Sequence, residues 1–163
     1  MKKRQILVIA ATIALYACSG GFSKGVKKDL STGLSTSWNG FAVDDVYLTV
    51  DDSKLSSNKV TLGKVVKIIA NGVGNHKVKE GRVFPGCSIL LTDKNGKELL
   101  NLADAFADIK DGFESDKAGM LTATLNTGTP MVVGQTYHLK TRFYDKLNKE
   151  SEIVSNVDLV MND

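Results

Sequence analysis

From about Phe41 to Met161, apolar and polar residues alternate in short runs, with the period of two that places successive side chains on opposite faces of a strand. Val46-Tyr47-Leu48-Thr49-Val50 sets Val46, Leu48 and Val50 on one face, and Cys87, Ile89 and Leu91 share another. Leu121 to Asn126 and Tyr137 to Phe143 repeat the alternation, and Ile153 to Met161 closes the set. Val65 to Ala70 is a nearly continuous apolar run broken only by Lys67, the pattern of a central strand covered on both faces. Asp93-Lys94-Asn95-Gly96-Lys97-Glu98 and Asp145-Lys146-Leu147-Asn148-Lys149-Glu150 have the same form. They predict two hairpins, each a type I turn followed by a left-handed residue, at Gly96 and at Asn148.

One stretch departs from the period of two. Leu102, Phe106, Ile109 and Phe113 recur at spacings of four, three and four, which predicts a short helix near 103–111 with Asp104 as its cap and Gly112 as its stop. Short strands, hairpins and one helix point to an all-β fold: an antiparallel, immunoglobulin-like β-sandwich of about seven strands, with a small β-barrel as the alternative.

The first residues carry a different signal. Lys2, Lys3 and Arg4 precede an uncharged apolar run from Ile6 to Tyr16, the layout of a secretory signal peptide. Eleven residues of helix are too short to span a bilayer, which needs about 20. The run ends in Leu15-Tyr16-Ala17-Cys18, which resembles the lipobox of bacterial lipoproteins, with Tyr16 where that family carries a small or aliphatic residue. The resemblance implies that residues 1–17 are removed, that lipid is attached to Cys18, and that the mature chain begins there. It also implies an outer-membrane address, since Ser19 replaces the Asp that retains such proteins in the inner membrane. The periplasmic leaflet is favoured slightly over the cell surface, because no acidic run follows the cysteine. Residues 18–37, rich in Gly and Ser, read as a flexible tether, spanning about 24 Å as a coil. Residues 38–163 read as the folded domain. The stretches Val83-Phe84-Pro85-Gly86 and Thr92 to Lys97, with the Asp-rich segment after them, resemble immunoglobulin-like domains of uncharacterised lipoproteins from Gram-negative envelopes.

Removing residues 1–17 changes the charge. The whole chain is +3, but 21 − 3 = 18 Lys and Arg remain against 18 Asp and Glu, so the mature chain is neutral and carries no electrostatic footprint for nucleic acid. With Cys18 lipidated, Cys87 has no disulfide mate, and its place on an apolar face makes it a core residue.

Candidate chemistry is sparse. Two histidines and one available cysteine do not make a zinc site, and no cofactor motif is present. Asp108, Asp111, Glu114 and Asp116 gather near Gly112 without EF-hand spacing, and are candidates for an irregular calcium site. Trp38, Phe41 and Tyr47 bracket the first strand and are candidates for a platform that binds a sugar or peptide. No Gly-x-Ser-x-Gly elbow occurs. The expectation is therefore a lipid-anchored, non-catalytic envelope protein that binds or organises an envelope protein or glycan. The alternatives are a small hydrolase whose acids converge from distant strands, and a calcium-dependent adhesion module.

Overall fold

The computed structural model describes residues 23–163; Cys18 and the segment before it lie outside them. Thirteen strands follow in chain order: β1 Lys24–Lys28, β2 Ser35–Asn39, β3 Asp45–Val50, β4 Ser53–Lys54, β5 Lys59–Thr61, β6 Val65–Asn71, β7 Arg82–Val83, β8 Pro85–Asp93, β9 Glu98–Leu102, β10 Phe113–Glu114, β11 Met120–Asn126, β12 Thr136–Asp145 and β13 Asn148–Asn162. The large sheet runs β1-β2-β13-β12-β8-β9, with β5 added in parallel at the end of β13. The small sheet runs β11-β6-β3-β4, and β7 and β10 form a two-residue ladder. Neither sheet closes on itself, so the fold is an immunoglobulin-like β-sandwich and not a barrel.

The alternation seen along the chain is what joins the layers. On the large sheet, Ile153, Val157, Leu159 and Met161 of β13 face inward beside Tyr137, Leu139 and Phe143 of β12 and Cys87, Ile89 and Leu91 of β8. They meet Val46 and Leu48 of β3, Val66, Ile68 and Ala70 of β6, and Leu121, Ala123 and Leu125 of β11. The strands exceed the expected seven because four of them, β4, β5, β7 and β10, are only two or three residues long, and β1 and β2 arise in the stretch read as tether.

Four expectations are corrected. No α-helix occurs among the described residues, whose only helical piece is the 3-10 turn Ser115–Lys117. Residues 103–111 form consecutive turns, with Ala107 N–H donating to Asp104 C=O, Ile109 N–H to Phe106 C=O and Lys110 N–H to Asp108 C=O. Asp104 Oδ1 accepts from Phe106 N–H at 2.9 Å, as a helix cap would, but also from Cys87 N–H at 3.0 Å, and Ala105 N–H donates to Cys87 C=O; these bonds to β8 tie the segment along the strand, where it continues as turns. Phe106 still meets Phe113 and Phe143, at ring distances of 6.1 and 6.4 Å, so the apolar spacing is satisfied without a helix.

The tether does not extend to residue 37. β1 and β2 form a hairpin that joins the large sheet through β13, with buried Thr36 Oγ1 and Ser155 Oγ 2.9 Å apart. Their polar sequence reads as coil because the partner strand lies more than a hundred residues away.

β6 is central, between β11 and β3, but covered on one face only, with Val65, Lys67 and Ile69 on the outer side. The fourth correction concerns the hairpins. Gly96 has φ of +81°, as expected, but Asn148 is not left-handed. The shared device is the leading aspartate: Asp93 Oδ1 accepts from Asn95 and Lys97 N–H, and Asp145 Oδ1 from Leu147 N–H.

Candidate functional site

The three candidate aromatics lie in three different places. Trp38 is half-buried at the sheet edge with its ring over Gly25, whose added Cβ would fall 2.2 Å from that ring. Phe41 is fully buried and packs edge-on against His76 at 4.9 Å. Tyr47 lies on the outer face of the small sheet beneath Lys54 Nζ, 4.8 Å from the ring centre. They form no common platform.

The acidic candidates are likewise dispersed. Asp108, Asp111, Glu114 and Asp116 are exposed; Glu114 pairs with Lys117, and the Asp111 carbonyl accepts from Arg82 Nε. Among the described residues no three His, Cys, Asp or Glu side chains stand close enough together to hold a metal ion.

The buried ionisable groups have structural partners. Burial, then the charge of Asp104, pushes the Cys87 thiol up to about 12, so it stays protonated. Burial lowers the pKa of His76, whose Nε2–H donates to Ala118 C=O at 3.2 Å while Nδ1 is buried without a partner. At Asp104 burial acts to raise the pKa, but hydrogen bonds from Lys146, Cys87 and Phe106 outweigh it and hold the carboxyl below 3.8. Asp104 therefore stabilises the fold above about pH 3.8, and that contribution is lost as pH falls through its lower folded value. Denaturant melts should show Asp104→Asn less stable than wild type at pH 7, with the gap narrowing below about pH 4. A gap constant with pH would show that the carboxylate charge is not what holds the loop.

What the strand arrangement does create lies at the two edges and on the outer face of the large sheet. His138, Lys140 and Arg142 sit on that face, as their alternation with Leu139, Thr141 and Phe143 predicts. His138 Nδ1 pairs with Asp158 and Arg142 Nε with Glu152, each at 2.5 Å. A polar depression of about 350 Å³ between Lys28, Asn58, Asn156 and Asp158 opens beside them.

The far edge is apolar. Strand β9, Glu98-Leu99-Leu100-Asn101-Leu102, pairs only with β8, so its other backbone edge is open. Beneath it a groove of about 180 Å³ is lined by the apolar side chains of Leu91, Leu99, Leu100, Leu125 and Met131, by Asn126 and by the loop residues Gly128, Thr129 and Pro130. Edge strands are ordinarily blunted by lysine or proline. The opposite edge, β1, carries three lysines, whereas β9 carries none. Sequence reasoning missed this groove because Leu99 and Leu100 do not alternate; the available signal was an apolar strand without lysine or proline directly after a hairpin turn.

Comparison with known proteins supports the fold alone. No known protein family and no curated protein matches the chain. The C-terminal domain of wzt has a similar structure, with a TM-score of 0.51 at 9% identity over 88% of this chain and 80% of that one. A superoxide reductase (neelaredoxin) from Ignicoccus hospitalis gives a TM-score of 0.41 at 12% identity, over 75% and 82% of the two chains.

Proposed function

We propose that this protein is a lipid-anchored, non-catalytic binding module of the cell envelope, held in the outer membrane through Cys18, and that it takes an extended segment of another envelope protein at strand β9. The anchor rests on Lys2-Lys3-Arg4, the apolar run and Leu15-Tyr16-Ala17-Cys18. The observation that carries the binding role is the open, lysine-free edge of β9 above an apolar groove. An added strand there gains main-chain hydrogen bonds, and its alternate side chains can enter the groove. A non-catalytic role is favoured because buried Asp145 and Cys87 and half-buried Asp104 are engaged in turns or core.

The test is capture from envelope extract on the folded chain, followed by mass spectrometry. Leu100→Lys places a charge at the groove, and is expected to lower recovery of the partner at least about tenfold, equivalent to 1.4 kcal/mol. A melting curve close to wild type is the control for folding. No enriched species at any salt concentration would sink the binding role, and an enriched glycan would move the site to the polar depression at Asn58 and Asn156.

A further inference from the structure

We infer that the hairpin of β1 and β2 is a membrane-contact surface, whose outer face lies against an anionic phospholipid bilayer when the chain is anchored at Cys18. The anchor itself rests on the lipoprotein reading above; the contact rests on geometry.

Lys24, Val26 and Lys28 share the outer face of β1, since alternate residues of a strand point the same way. Val26 is 76% exposed, and Leu30 at the turn is 89% exposed. These are the two most exposed large apolar side chains among the described residues. Lys24 and Lys28 have no ion-pair partner among those residues, while Lys27 is directed to Asp45. The one acid in the hairpin, Asp29, is turned onto the N–H and hydroxyl of Ser31. The hairpin thus presents two ammonium groups bracketing a valine, with a leucine at the tip, a mixture suited to headgroup phosphates and the acyl boundary.

Charge and reach both select a bilayer as the occupant. Residues 24–39 carry three lysines and one aspartate, a net +2 within a mature chain whose total is zero. Of the acids on the same sheet face, Glu152 is paired with Arg142, while Asp158 is hydrogen-bonded to His138 and keeps its charge when that ring is neutral. Only residues 19–23 separate Cys18 from β1, and fully extended they reach about 20 Å. An anchored chain therefore keeps this edge near the lipid. The β9 groove, five strand spacings away, stands about 24 Å across the sheet and remains open.

The sole tryptophan supplies the reporter. Trp38 pairs with Gly25 in the middle of the hairpin, within one sheet thickness of the face concerned. The chain from Cys18 onward would be coupled through the Cys18 thiol to a maleimide lipid, in vesicles of brominated phosphatidylcholine with or without phosphatidylglycerol. Cys87 is fully buried and does not compete. Trp38 fluorescence is expected to be quenched markedly more in the anionic vesicles, and less as salt is raised. Each lysine near an anionic surface is worth about fivefold in partitioning, so Lys24→Glu with Lys28→Glu should abolish the difference between vesicle types. Leu30→Ser should reduce quenching in both. Equal quenching in the two vesicle types, or no change in the lysine variant, overturns the contact. Because the lipid is attached chemically, this outcome is independent of whether cells acylate Cys18, which the mass of the mature protein decides separately.

Discussion

Phe143→Ala is expected to destabilise the sandwich by about 3–5 kcal/mol, because it deletes a large, fully buried side chain and leaves a cavity that rigid neighbours cannot close. Phe143 is held from several directions. It stands on β12 between β13 and β8, opposite Ile153 and Cys87, and its ring stacks at 6.4 Å on Phe106 from the turn segment. Collapse around the vacancy would require two strands and the pinned loop to move together. A domain of this size has about 5–15 kcal/mol in total, so the variant should melt about 10 °C or more below wild type. Leu30→Ala, at a position 89% exposed, should change stability by no more than about 0.5 kcal/mol. A shift at Phe143 no larger than that at Leu30 would mean that the turn segment does not close the core as described.

The ring contact with Phe106 also shows where local pattern was enough and where it was not. Alternation alone locates β3, β8, β11, β12 and β13, because each buries one face and a slip of one residue would turn its apolar set outward. Of Leu102, Phe106, Ile109 and Phe113, which the helical spacing sets on one face, Phe106 packs against the core, whereas Leu102 is 40% exposed. The spacing does not show that Asp104 and Ala105 would bond to the Cys87 backbone and tie the segment to β8. Likewise β2 is polar, Ser35-Thr36-Ser37-Trp38-Asn39, and owes its strand geometry to β13 rather than to its own propensity.

The candidate site was less legible than the fold, for a related reason. A groove or an open edge is a property of strand order, and strand order here joins the first hairpin to the last strand. Glu98 to Leu102 can be read as a strand from its composition. That it ends the sheet, and that Leu125 and Met131 form the groove floor, depends on contacts set elsewhere in the chain. Tyr47, Trp38 and Phe41 are close in sequence, yet strand alternation and the turn after β2 send Tyr47 to the outer face of the small sheet, Trp38 to the sheet edge and Phe41 into the core.

Cys18→Ser should produce the largest functional change, since on the proposed reading one sulfur atom determines whether the chain is anchored. A single acyl chain gives only marginal membrane residence, each buried methylene contributing about 0.8 kcal/mol, whereas two or more chains hold a protein stably. The wild-type mature protein should begin at residue 18, exceed its polypeptide mass by the attached acyl groups, and partition into detergent. The serine variant should carry no acyl mass in any form. Its Ile6–Tyr16 run, if retained, is too short to span a bilayer as a helix. A wild-type protein with an unmodified N-terminus, or one beginning elsewhere than Cys18, would remove the anchor from the proposal. The β9 groove would then have to be tested on an unanchored domain, because its geometry depends on the sandwich and not on the lipid.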